Sequence, residues 1–358
     1  MSRLPTVALG YQGFGNVGDE AILSGIEHLI AGTPLDVVAV VAGPQPVAAF
    51  PAARRVITRR LRPSLAAVRA MRRARLLLIS GGGLLHDHWA TVVPNYLAWV
   101  AIARLLGLRV AWLGVGVGPL RQGWSRWLAG RALRWSHLVT VRDPASAALV
   151  GEIAPDVPVT VVPDPAVFNP APASGASGER RGVGIIVRGP APADAALADP
   201  LATALGGAVA ILGRDDPVTV LTFGGARDRP FAVNVVDAAA AEGGVPPALE
   251  ELPPDAGAVI ARLAQLEVLV SVRLHGLILG AVASTPTVGV AYDPKVASWA
   301  ERLGLAGYCL QVGSLSADAI VAAVTRLRAS SAGEEMARRL DALCGEGDRV
   351  RSRLAGLA

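Results

Sequence analysis

The stretch GYQGFGNVGDEAIL, Gly10 to Leu23, follows a short apolar run and holds a literal G-x-G-x-x-G at Gly13, Gly15 and Gly18. A glycine loop between an apolar strand and a helical pattern opens a βαβ unit, so this stretch predicts an α/β fold with a parallel sheet. It does not by itself decide the ligand. A dinucleotide fingerprint also needs an acidic residue about 20 positions on, at the end of the second strand, to hold the ribose. That strand runs out in Val40, Val41, Ala42, Gly43 and Pro44, with no acid. Asp19 and Glu20 already occupy the positive end of the helix and would repel a pyrophosphate there. Nicotinamide and flavin are therefore disfavoured. Two readings stay open: a tight turn in which Asp19 caps the helix, or a sugar-facing loop in which Asn16, Asp19 and Glu20 stand on backbone exposed by Gly15.

Outward from this loop, strand-like runs alternate with helical patterns: Thr6 to Gln12, Leu35 to Gly43, Leu76 to Ser80, Arg109 to Val117, Leu138 to Arg142 and Val159 to Val162. A second alternation has strands near Gly182 to Arg188, Val218 to Gly224, Val268 to Val272 and Thr287 to Tyr292. The stretch PDPAVFNPAPASGASGERR between them is dense in Pro, Ala, Gly and Ser and reads as a linker. The expected organisation is an N-terminal Rossmann-like domain over 1–170, a linker over 171–181, a C-terminal Rossmann-like domain over 182–331, and a C-terminal helix over 332–358. The two domains are expected to face one cleft, with the C-terminal helix packing back on the first.

Composition agrees. The 358 residues are 52% apolar and 18% charged, with 40 Gly and 26 Pro, as buried parallel strands require. Cys309 and Cys344 are too few for a disulfide framework and have no metal-ligand spacing, which suits a reducing cytoplasm. No secretory signal is expected, and the apolar stretch Tyr96 to Gly118 carries Arg104 and Arg109 in its middle, so it reads as a helix followed by a strand. The net charge is +5, and of 34 basic residues only Lys295 is lysine. Nine arginines fall between Arg54 and Arg75. That density suits either a solvated surface or an anionic partner such as lipid headgroups; no aromatic-interleaved basic module points to nucleic acid.

Further constellations lie at strand ends. SGGGLLHD, Ser80 to Asp87, sets three glycines, Gly82 among them, before Asp87. His86, Asp87 and His88 are adjacent and have no further His or Cys pattern to complete a metal site. In VRDPAS, Asp143 reads as a helix cap with Pro144 at the first helical position. GIIVRG ends a strand at Arg188, SVRLHG ends another with Arg273 and His275, and AYDPK places Asp293 and Lys295 at the same carboxyl edge, where open α/β sheets bind ligands. Cations gathered there imply an anionic ligand with several charged oxygens.

In this order, GFGNVGDEAIL, SGGGLL, GVGVGPL, VRD, PDPA, RLHG and VGVAYDPKV resemble the polysaccharide pyruvyl transferase family, particularly its CsaB-type members that pyruvylate cell-wall sugars. The resemblance runs from about Gly10 to Val296. It implies a fold similar to the GT-B glycosyltransferases and transfer of pyruvate from phosphoenolpyruvate (PEP) to two sugar hydroxyls as a ketal. It implies PEP binding by Arg188, Arg273 and Lys295, acid catalysis by His275, and stabilisation of the leaving phosphate by Arg273. Acceptor binding falls to Gly15, Asn16, Asp19, Glu20, Gly82 and Asp87, with any base among Asp19, Glu20 and Asp87. Many relatives have Gln where this chain has His86. In CsaB-type relatives the acceptor is a lipid-linked disaccharide containing N-acetylmannosamine at the inner face of the membrane. That implies a cytoplasmic enzyme with peripheral membrane contact, through Arg54 to Arg75 or GWSRWLAGRALRW, and with neither cofactor nor metal.

The rival is a nucleotide-sugar glycosyltransferase on the same architecture. Such enzymes commonly hold the donor ribose with a Glu-x7-Glu pair. Glu242 and Glu250 have that spacing, but Gly243, Gly244, Pro246 and Pro247 between them forbid a single helix.

Overall fold

Short β-branched runs bounded by glycine and proline become strands, the central ones buried on both faces, and the computed structural model has thirteen among its described residues. It describes residues 3–44, 47–50, 54–58, 62–172, 179–190, 192–224 and 227–357. The strands are β1 (Leu4–Gly10), β2 (Leu35–Val41), β3 (Arg55–Ile57), β4 (Leu76–Leu85), β5 (Arg109–Val117), β6 (Leu138–Val141), β7 (Val159–Val161), β8 (Val183–Val187), β9 (Val218–Thr222), β10 (Ala248–Glu251), β11 (Val268–Ser271), β12 (Thr287–Ala291) and β13 (Cys309–Gln311). They form a seven-stranded sheet ordered β3-β2-β1-β4-β5-β6-β7 and a six-stranded sheet ordered β10-β9-β8-β11-β12-β13, every pairing parallel. Each has the doubly wound order that starts in the middle and grows first one way, then the other.

The chain divides into two compact units: Met1–Phe14, Asp19–Asn169 and Leu343–Ala358 in the first, Gly15–Gly18 and Pro170–Ala342 in the second. Of the expected linker, residues 173–178 lie outside the described residues. The expected C-terminal helix is two, Ala332–Gly345 and Gly347–Ala355. The last segment packs within the first unit, where Arg353 Nη1 donates to Thr160 Oγ1 at 2.7 Å and Arg351 Nη1 to the Leu29 carbonyl at 3.4 Å.

In the first unit Leu9, Leu77, Ile79, Trp99 and Trp112 are buried at the centre of the core. At the end of β6, Arg142 Nη1 donates to Asp164 Oδ2 at 2.8 Å, with Asp143 Oδ2 3.7 Å from Arg142 Nε. These side chains are 4% and 0% exposed for Arg142 and Asp164, so the VRD and PDPA segments meet as a buried ion pair. Asp143 caps the helix Pro144–Ile153 by accepting the Ser146 N–H, as expected. In the second unit, the stretch Ala195–Leu212 is long and apolar enough to cross a membrane, but Leu201, Leu205, Val209 and Leu212 are buried, the pattern of a core helix.

Strand limits moved where glycine or an edge was involved. β4 continues through Ser80, Gly81, Gly82 and Gly83 to Leu85, pairing Gly82 with Val115 and Gly83 with Gly116, where the sequence predicts a loop after Ser80. Parallel pairing supplies the backbone bonds that the absent side chains cannot. β3, β10 and β13 carry no sequence expectation; each is an edge strand of three or four residues with no buried side chain.

Candidate active site

Open parallel sheets bind ligands beyond the carboxyl ends of the strands, where the order reverses. In the second sheet that point lies between β8 and β11. Arg188 is the first residue past β8, and Arg273 is the second past β11. The Arg188 guanidinium lies 4.3 Å from the centre of the Tyr292 ring, just past β12, and Lys295 Nζ lies 5.9 Å from it. One aromatic ring thus accompanies two cations. Asp293 shapes the same turn: Oδ1 accepts the Lys295 N–H at 3.0 Å, capping the helix Pro294–Arg302, and Oδ2 lies 2.8 Å from Lys295 Nζ.

Arg273 occupies the N-cap of the helix Leu274–Val282. Its N–H donates to Ser271 Oγ at 3.2 Å and Ser271 Oγ donates to its carbonyl at 2.8 Å, which fixes the turn. Its guanidinium pairs with Asp228, whose side chain is 0% exposed. A buried carboxylate against a partly buried arginine holds that arginine in one place. His275 sits in the first turn of the same helix, and Gly18 packs against it from the first turn of the helix Val17–Ile30, whose start two residues before Asp19 puts that carboxylate inside the helix and not at its cap. A Cβ on Gly18 would stand 2.3 Å from His275 Nδ1, so only glycine fits. That helix start is fastened by the Val17 N–H donating to the Phe223 carbonyl at 3.0 Å.

The first sheet reverses order between β1 and β4. Gly13 there has φ +87° and packs so tightly on Gly43 that a Cβ would lie 2.3 Å from the Gly43 carbonyl oxygen. Its N–H donates to Glu20 Oε1 at 2.7 Å, and Gln12 Nε2 donates to the Asp19 carbonyl at 3.2 Å. Asp19 Oδ1 lies 3.6 Å from where a Cβ on Gly82 would stand. Beside it, burial pushes the Tyr96 phenol well above its ordinary range, with Asp19 and Tyr11 acting the same way.

Glu20 is 3% exposed, and burial raises its pKa from 4.5 to about 7 against the opposing pull of the Gly13 N–H; Asp19 adds to the rise and Arg55 opposes it. The folded state therefore holds this proton more tightly than the unfolded chain. The resulting stability is complete below pH 4.5 and is lost as pH rises through about 7. Over that window the loss is on the order of 3 kcal/mol. Glu20→Gln should flatten it. Melting temperatures of both proteins across the window test this, and equal slopes would remove Glu20 as the source.

Asp87 is placed differently from Asp19. Its Oδ2 accepts the Arg121 N–H at 2.5 Å, the Gln122 N–H at 2.8 Å and the Ser125 hydroxyl at 2.8 Å, ahead of the helix Gly123–Arg134. Burial opposes ionisation, but the Gln122, Ser125 and Arg121 donors outweigh it and hold the carboxyl below its ordinary range. A carboxylate so committed is a weak base.

Thus Arg188 and Lys295 come together around Tyr292, and Arg273 and His275 share one helix start. Gly15 and Asn16 belong to the second unit, whereas Asp19, Glu20, Gly82 and Asp87 belong to the first. Asp228 and Tyr292 were missed by sequence reasoning. Tyr292 stands inside AYDPK and was readable as an aromatic beside the lone lysine; Asp228, in ARDRP, carries no local signal. In the basic stretch, Arg54 pairs with Asp36 at 2.7 Å and Arg55 Nη1 donates to the Val47 carbonyl at 2.6 Å, while Arg59 and Arg60 lie outside the described residues. Among the described residues no group of three or more His, Cys, Asp and Glu is placed to hold a metal ion.

Solved structures with similar folds include Thermobaculum terrenum O-GlcNAc transferase, at 12% identity and TM-score 0.55 over 99% of this chain and 68% of that one. Methanocaldococcus jannaschii UDP-GlcNAc 2-epimerase in complex with UDP-GlcNAc and UDP matches at 11% and 0.57 over 94% and 98%. A S. aureus MnaA–UDP co-structure matches at 11% and 0.58 over 94% and 91%. These identities show the fold alone, a GT-B-like pair of parallel-sheet α/β domains. No curated protein matches the sequence. The family model for polysaccharide pyruvyl transferase matches residues 16–294.

Proposed function

The chain belongs to the polysaccharide pyruvyl transferase family, and from that premise we propose that it transfers pyruvate from PEP to a cell-wall polysaccharide precursor, forming a ketal. The observation that carries the donor assignment is the set of fixed cations at the switch point of the second sheet. Arg188 and Lys295 flank Tyr292, and Arg273 is clamped by Asp228 at a helix start. PEP presents a phosphate and a carboxylate, and arginine forks and helix N-termini match both.

In the proposed reaction His275 gives a proton to the methylene carbon of PEP, which becomes a methyl group, and C2 becomes electrophilic. One sugar hydroxyl adds to C2 and loses its proton. Phosphate departs with its charge met by Arg273, and the second hydroxyl closes the ring with loss of its own proton. No cofactor or metal is required by this chemistry. The acceptor, proposed as a lipid-linked disaccharide containing N-acetylmannosamine on the cytoplasmic side of the membrane, is assigned to Asp19 and Gly82. Glu20 supports the loop from below through Gly13.

Ligand-dependent melting tests the donor. At about 100 times its dissociation constant PEP should add about 2.7 kcal/mol, readily visible as a rise in Tm. Lys295→Ala and Arg188→Ala should each reduce that rise. The structural neighbours give a nucleotide-sugar transferase some support, although Glu250 lies on β10 and pairs with Arg262 at 2.9 Å, away from any helix shared with Glu242. Stabilisation by UDP-sugars without any by PEP would replace the proposal with that reading.

A further inference from the structure

Of the five phenylalanines and four tyrosines in this chain, Phe14 and Tyr11 are the exposed ones, at 38% and 42%, and their rings lie against each other with centroids 4.9 Å apart and planes 34° apart. Both stand just past β1, at the edge where the first sheet reverses order. The loop that carries them is held from several directions. The Gln12 carbonyl accepts the Ala42 and Gly43 N–H groups at 2.9 and 3.0 Å, while Gln12 Nε2 and the Gly13 N–H donate to the Asp19 carbonyl and to Glu20 Oε1. Phe14 packs on Gly43, where a Cβ would stand 3.0 Å from Phe14 Cδ1. A loop so fixed keeps two apolar ring faces in solvent at the edge where open parallel sheets take their ligands.

Polar groups adjoin the rings. Asp19 is half-buried in the first turn of the helix Val17–Ile30 and is tied to the aromatic loop through its carbonyl. The Tyr96 phenol oxygen is buried with no hydrogen-bond partner among the described residues, and it lies near enough to Asp19 and Tyr11 for both to raise its proton affinity. A buried phenol normally has a partner. Aromatic faces beside a carboxylate and a hydroxyl match a pyranose ring: its C–H face lies on the aromatic rings, and its hydroxyls donate to the carboxylate. A nucleobase would stack as readily, but its phosphates would be drawn towards the Asp19 carboxylate and repelled. Two rings on their own are far below the roughly 800 Å² per partner that a stable protein interface buries.

We propose that Tyr11 and Phe14 form a platform on which an uncharged ring of the acceptor glycan stacks, with Asp19 accepting from its hydroxyls. The naming of that ring as the acceptor rests on the pyruvyl transfer reading, whereas the platform is tested without turnover. The probe is the methyl glycoside of N-acetylmannosamine, titrated against the full chain and observed by saturation-transfer NMR. In the wild type its ring C–H protons should receive saturation, and Tyr11→Ala combined with Phe14→Ala should weaken the apparent affinity about tenfold or more. The melting temperature of that variant, and its rise with PEP, should be unchanged. Should the double variant fail to fold, Phe14→Leu, which keeps apolar bulk without an aromatic face, should still weaken binding several-fold, and Phe14→Tyr should preserve it. Absence of transfer to the sugar in the wild type, or equal affinity in the wild type and the variants, would overturn the platform. So would transfer to the uracil protons of UMP in place of the sugar, lost in the same variants. Sugar binding that behaves as expected in a protein that PEP does not stabilise would uphold the platform and overturn the donor assignment alone.

Discussion

Arg142→Met is expected to destabilise the first unit by about 3–5 kcal/mol, because it leaves the Asp164 carboxylate buried without its principal counter-charge. Arg142 and Asp164 are 4% and 0% exposed and 2.8 Å apart, so water cannot replace the lost partner. Asp143, 3.7 Å from Arg142, loses a second interaction. For a unit of this size the loss corresponds to a fall in its melting temperature of roughly 10 °C. Adding Asp164→Leu should restore much of it, since removing both charges removes the desolvation cost that remains after one is lost. Calorimetric scans of the single and double variants decide the matter. A double variant no more stable than Arg142→Met would mean that shape, and not charge pairing, is what Arg142 contributes.

That pair shows where sequence reasoning reaches its limit. VRD and PDPA were each legible, and the cap role of Asp143 follows from the following proline, but nothing in either segment says that Arg142 and Asp164 meet. Their contact depends on β6 lying beside β7 in the folded sheet. The two-domain parallel fold was legible because apolar runs and glycine loops report local period and turn chemistry. The edge strands β3, β10 and β13 were not, since strands of three or four half-exposed residues leave no apolar pattern. At the candidate site, Arg188, Arg273, His275 and Lys295 were found because strand ends are local features. Asp228 was not, because its role exists only through the arginine it holds. The opening glycine motif was ambiguous for a related reason. Gly13 is required by a φ of +87° and by close contact with Gly43, Gly18 by contact with His275, and both are tertiary facts.

The Gly18 contact sharpens the second large expectation. His275→Gln should lower kcat about 10²–10⁴-fold while leaving the PEP-dependent rise in melting temperature nearly intact. Glutamine keeps a hydrogen-bonding group of similar reach at the start of the helix Leu274–Val282 but cannot deliver a proton to carbon. The cations assigned to PEP are elsewhere, on Arg188, Arg273 and Lys295, so donor binding has no reason to fall with turnover. Phosphate release from PEP in the presence of the glycan acceptor is the readout. Gly18→Ala offers an independent approach to the same side chain. Its methyl group would stand 2.3 Å from Nδ1, so it must displace either the imidazole or the start of the helix Val17–Ile30, and kcat should fall although no reacting group has been removed. A His275→Gln enzyme that turns over at the wild-type rate would take the proton donor away from this helix altogether, whatever the fate of the anion site beside it.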